Sequence, residues 1–132
     1  NSHDGTHVNI PIHGTKDGRN LDSYSIDRFI SESVLFRKRE DVVSRYGIIF
    51  SDRNIDREIA DIIVEKKPKF VGLSADFKFD EEIEKYFLRN GIISYENLVN
   101  TKKLPKKFVF YSVPLKIKGG DGSPVRAFAQ IG

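Results

Sequence analysis

Apolar positions along this chain recur at two different spacings, and the spacing switches several times. Over 55–63, Ile55, Ile59, Ile62 and Ile63 fall at i, i+4, i+7 and i+8, which is one stripe of a helix. Asp56, Arg57, Asp61 and Glu65 are left facing water, and Pro68 stops the helix because it disfavours helical backbone just before it. A second helix is predicted from Asp80, with Ile83 and Phe87 on its core face and Asn90-Gly91 as its C-terminal pair. Short β-forming runs at 33–36, 46–50, 69–74, 92–95 and 108–113 read as strands. The stretch 26–31 reads as a short helix with Ser25 as its cap, and 119–124 as a tight turn before a last strand at 125–131. Helix and strand alternate through the middle, which predicts an α/β domain with mixed sheet pairing. No repeat, low-complexity stretch or linker divides the chain, so 1–132 is read as a single domain.

Composition narrows the chemistry. With 132 residues, 39% hydrophobic and 31% charged, the chain can bury one core and is too apolar for a disordered segment. Cysteine is absent, which excludes disulfides, thiolate nucleophiles, Cys-ligated zinc and iron–sulfur clusters. No run approaches the ~18 apolar residues of a membrane span, and no charged-then-apolar leader opens the sequence. A cytoplasmic protein without a membrane partner is the expectation. Methionine is also absent and Asn1 is not a residue that exposes itself by methionine removal, so the expected native start lies upstream.

The 22 basic and 19 acidic residues leave a net charge of +3, mild for a nucleic-acid binder. Lys102, Lys103, Lys106, Lys107, Lys116 and Lys118 do form a run without an intervening acid. Its only aromatics, Phe108, Phe110 and Tyr111, belong to a strand pattern. A solvated loop and strand edge is therefore expected, with no nucleic-acid partner.

Histidine is distributed unevenly: His3, His7 and His13 all lie in the first thirteen residues. With Asn9 they share odd parity, so an extended segment sends all four to one face. In that geometry His7 and Asn9 are about 7 Å apart, and His3 and His7 about 13 Å, with Gly5 between them to allow a bend. Such a cluster points to a metal site.

His3-x-Gly5-Thr6-His7-x-Asn9-x-Pro11-x-His13 resembles the signature H-x-G-T-H-x-D-x-P-x-H of the cyclase family of metal-dependent hydrolases, which includes bacterial kynurenine formamidases. Glu96-Asn97-Leu98-Val99-Asn100 is similar to the family's E-N-L-x-N segment, and 114–127 to its closing strand–turn–strand. The resemblance implies a mixed, partly barrel-like sheet with flanking helices, the swivelling β/β/α arrangement, and a missing N-terminal segment. It implies that His3, His7 and Glu96 bind a divalent ion, Zn or Mn, and that His13 shuttles protons. It also implies a homodimer or homotetramer acting on a small amide, a formamide or a cyclic amide.

Two positions depart from the pattern. Asn9 stands where the family has aspartate, and Glu84 falls where it has a later histidine ligand. Asn9 and Glu84 remain candidate ligands through their oxygens, although a neutral amide is a poorer ligand than a carboxylate. Two main readings follow: a metal-dependent amide hydrolase, or a degenerate relative with an incomplete site that acts in binding or structure. A basic nucleic-acid module is the third, carried by the lysine run alone.

Overall fold

Four parallel strands make the centre of one mixed sheet. The computed structural model describes residues 7–9, 26–112, 122–124 and 127–131. The strands are β1 (His7–Asn9), β2 (Ile30–Leu35), β3 (Gly47–Phe50), β4 (Phe70–Ser74), β5 (Ile93–Leu98), β6 (Lys107–Tyr111), β7 (Gly122–Pro124) and β8 (Phe128–Gln130). Their order is β7-β1-β5-β4-β3-β2-β6-β8. Pairing is parallel from β2 to β5 and antiparallel at both flanks.

Two helices cross between the parallel strands. In α1 (Arg57–Lys66) the Asp56 carboxylate accepts from the Ile59 N–H at 2.9 Å, and Lys67 at φ 50° closes the far end. In α2 (Glu81–Arg89) Asp80 accepts from the N–H groups of Glu82 and Ile83. Each cap satisfies amides that the first helical turn leaves without partners. Ala60, Ile63, Ile83 and Phe87 join Ile48, Phe50, Val71 and Leu73 in the core between the helices and one sheet face.

The other face forms a second core from Val8, Phe29, Leu35, Ile49, Phe70, Ile93, Tyr95, Leu98, Phe108 and Phe110. Here the sheet closes on itself. β5 and β6 are four strand steps apart, which in a flat sheet means about 19 Å. Yet the rings of Tyr95 and Phe110 meet at 5.3 Å, and both pack on Phe70 at 5.2 Å. The sheet is therefore curled into a partial barrel, with these rings inside. Gly47 permits the close packing, since a Cβ there would lie 2.2 Å from the Phe70 ring.

The predicted helices and most strands agree with this architecture, and three segments differ. The 26–31 segment is a single 3-10 turn (Ile26–Phe29), after which the chain is already strand, because Ile30 and Ser31 pair with Tyr111 and Phe110 of β6. Ser25 lies outside the described residues. Of the expected 119–124 turn, 119–121 lie outside the described residues and Gly122–Pro124 is β7, whose low strand propensity is overridden by its ladder to β1. Of the expected last strand at 125–131, 125–126 lie outside the described residues, and the strand among the rest is Phe128–Gln130. In the lysine run, Lys106 reaches the Asp41 carboxylate and Lys102 that of Asp76, while Phe108 and Phe110 are core residues. Among the described residues no helix is long and apolar enough to cross a membrane.

Candidate metal centre

The expected ligands come from segments far apart in sequence, and strand pairing is what brings two of them together. β1 lies antiparallel to β5 with His7 opposite Glu96, Val8 opposite Tyr95 and Asn9 opposite Ser94. Directly opposed positions in such a ladder lie on one face, with Cβ atoms about 4.5–5.5 Å apart. Val8 and Tyr95 are fully buried inside the curl. By the pleat, positions 7 and 9 and positions 94 and 96 therefore lie on the opposite face. Ser94 also pairs with Val71, a residue of the helix-side core, so this is the face that α2 covers.

A bulge sets the direction of Glu96. Between the pairs Gly72–Tyr95 and Ser74–Leu98, β5 carries one residue more than β4. The extra residue falls at Glu96-Asn97, and Asn97 adopts φ 60°. Asn100, at φ 61°, does the same at the head of the following 3-10 turn. Asparagine tolerates this left-handed region better than most residues. Both asparagines of Glu96-Asn97-Leu98-Val99-Asn100 are thus explained by backbone geometry, a role the sequence reading did not assign. Bulges commonly re-aim a side chain beside a functional site. Here the bulge lets Tyr95 and Leu98 both enter the core while half-buried Glu96 stays on the far side.

Ser94 was also missed. It is fully buried, and its hydroxyl has no hydrogen-bond partner among the described residues. An orphaned hydroxyl at the position opposite Asn9, two residues from Glu96, fits a face meant to hold polar groups. A single serine in an apolar strand gives little warning of this in sequence.

Glu84 lies on α2, half-buried beside core-facing Ile83 and on the same side of the sheet as Glu96. His3 and His13 lie outside the described residues, and for His7 and Asn9 only the strand position is described. Among the described residues no group of three or more His, Cys, Asp or Glu could hold a metal ion. The register supplies an imidazole position and a carboxylate position side by side, which is the donor chemistry that Zn or Mn accepts. Tyr95, by contrast, takes no part: burial pushes its phenol far up, with the Ser112 hydroxyl opposing weakly, so it stays neutral within the barrel.

No protein-family model matches the chain. Among characterised proteins it is similar to a kynurenine formamidase of Salinibacter ruber, 27% identical over 158 aligned positions that cover 96% of this chain and 74% of the relative. Among solved structures it superposes on a potential metal-dependent hydrolase with cyclase activity at a TM-score of 0.81, with 18% identity, 98% of this chain and 79% of the other covered. Isatin hydrolase A from Ralstonia solanacearum follows at a TM-score of 0.76 and 18% identity, covering 95% of this chain and 70% of the other. By sequence the chain is thus similar to a kynurenine formamidase, and it shares the fold of cyclase-type metal-dependent hydrolases.

Proposed function

We propose that the protein hydrolyses the amide bond of a small molecule, a formamide or a cyclic amide, with His3, His7, Asn9, Glu84 and Glu96 holding a divalent Zn or Mn ion and His13 moving the proton. The observation that carries this reading is the register pair of His7 with Glu96. Similarity to a kynurenine formamidase and the fold shared with an isatin hydrolase support the substrate class.

When bound, the ion supplies Lewis-acid polarisation of the scissile carbonyl and of the attacking water. His13, whose ordinary pKa is near 6.5, takes the proton from that water and returns it to the leaving nitrogen. Asn9 contributes a neutral oxygen, so the ligand set carries one negative charge fewer than it would with aspartate. Ser94, buried opposite Asn9, offers a hydroxyl to orient that amide.

We further propose that the whole chain, 1–132, works as one domain and as a homodimer or homotetramer in the cytoplasm, without nucleic acid. Exposed Val99, Phe128 and Ile131 support self-association by offering apolar surface.

The test strips metal with a chelator, restores Zn²⁺ or Mn²⁺, and measures bound metal together with hydrolysis of an N-formyl aryl amide. At least one tightly held ion per chain, with metal-dependent turnover, is the expected result. Neither metal nor turnover would instead establish the degenerate reading, which Asn9 favours.

A further inference from the structure

We infer that the protein has a second ligand site, for a phosphorylated small molecule, at the opposite end of the parallel strands from the Glu96 bulge. A cleft of about 600 Å³ opens there, lined by Arg28, Arg45, Lys67 and Lys69 together with Asn90 and Gly91. The loops entering β2, β3, β4 and β5 each contribute, and no described lining residue is acidic. Ile92 at its floor is four residues from Glu96, about 13 Å along β5, so the two sites are separate.

Seven cations outside the cleft have acidic partners. Arg37 and Arg53 pair with Asp52, Arg39 with Glu58, Arg57 with Asp61, Lys85 with Glu81, Lys102 with Asp76 and Lys106 with Asp41. Arg45, Lys67 and Lys69 have no acidic partner among the described residues. Bringing like charges together costs free energy unless a counter-charge is present.

One of these cations is held in place, and the backbone of another is anchored. Lys69 Nζ donates to the Ile30 carbonyl at 3.0 Å, which fixes the ammonium at the cleft and leaves two donors. The Arg45 carbonyl accepts from the Ser31 hydroxyl, which anchors its loop. Helix-dipole compensation accounts for Lys67, just past the end of α1, but not for Arg45, which follows no α-helix end. The helix-end carbonyls are moreover already capped, by Lys67 N–H on Ile63 and by Asn90 and Gly91 N–H on Phe87 and Leu88. A guanidinium and two ammonium groups lining one cleft from two loops suit an oxyanion of several charges.

The probe is pyrophosphate, titrated into the full chain at physiological ionic strength and followed by backbone amide NMR. Saturable shifts at Arg45, Lys67, Gly91 and Ile92 are expected, with citrate binding at least tenfold more weakly. Citrate binding as tightly would overturn the phosphate assignment in favour of a carboxylate ligand. The double variant Arg45→Gln/Lys67→Gln should lose affinity by at least tenfold and keep the unliganded melting temperature. No saturation, shifts confined to the 102–107 lysines, or unchanged affinity in the variant would each overturn the site. The readout needs neither metal nor turnover, so its failure is distinct from failure of the hydrolase reading.

Discussion

His7 stands directly opposite Glu96 in the antiparallel pairing of β1 with β5. Neither residue is near the other in sequence, and the ladder that joins them also puts Asn9 opposite the buried Ser94, whose hydroxyl has no partner among the described residues. A slip of one residue would turn positions 7 and 9 into the barrel and Val8 out of it. Burial of Val8 against Tyr95 is what holds the register.

Asn9 is the position at which charge can be restored. Asn9→Asp should tighten metal binding and raise the turnover of an N-formyl aryl amide. The gain should shrink at low pH, where the new carboxylate and the imidazoles are protonated. Competition with a chelator across pH measures it, and unchanged affinity at neutral pH would show that Asn9 does not limit the site.

His13 is assigned to proton transfer and not to the ion. His13→Ala should lower turnover by about 10²–10⁴-fold, the usual contribution of a general acid–base group, with metal content unchanged. Loss of the metal in that variant would make His13 a ligand.

The bulge at Asn97 gives a prediction that needs no metal to read out. Asn97→Ala places an ordinary side chain at φ 60° and should cost about 1 kcal/mol in urea unfolding, whereas Asn97→Gly should cost less. If the bulge directs Glu96, the alanine variant should also retain metal less well. Equal stability of the alanine and glycine variants would show that the left-handed backbone is not what the asparagine provides.

Asp41 links the 3-10 turn at 39–41 to Lys106 at the start of β6. Burial alone would raise its pKa, but the Lys106 ammonium at 2.5 Å and the N–H groups of Arg37 and Lys38 outweigh it and hold the carboxyl below its ordinary value. A lowered folded-state pKa stabilises the fold above the unfolded-state value, and that stability is lost as pH falls through the folded-state value. Asp41→Asn should therefore cost roughly 1–3 kcal/mol at pH 7. The difference from wild type should narrow as urea unfolding is repeated below the ordinary carboxylate range, and a gap that persists there would contradict the charged role.

Local chemistry determined much of this protein before any tertiary contact was considered. Asp56 and Asp80 begin helices because a carboxylate can accept from free first-turn amides, and Pro68 and Asn90-Gly91 end them through backbone restriction and freedom respectively. Hydrophobic spacing marked the stripe of α1 and the buried strands, and shared parity put His7 and Asn9 on one face. Each of these depends on residues within a few positions of one another.

The rest depends on partners distant in sequence. Nothing local in Ile30 and Ser31 makes them strand, or in Gly122–Pro124; their ladders to β6 and β1 do. The curl that brings Tyr95 onto Phe110 is a property of eight paired strands and the rings packed between them. The bulge at Asn97 exists only relative to β4, and the meeting of His7 with Glu96 only through the burial that fixes β1 on β5. A residue type can show what a side chain is able to bind, but only long-range packing decides which other groups stand beside it.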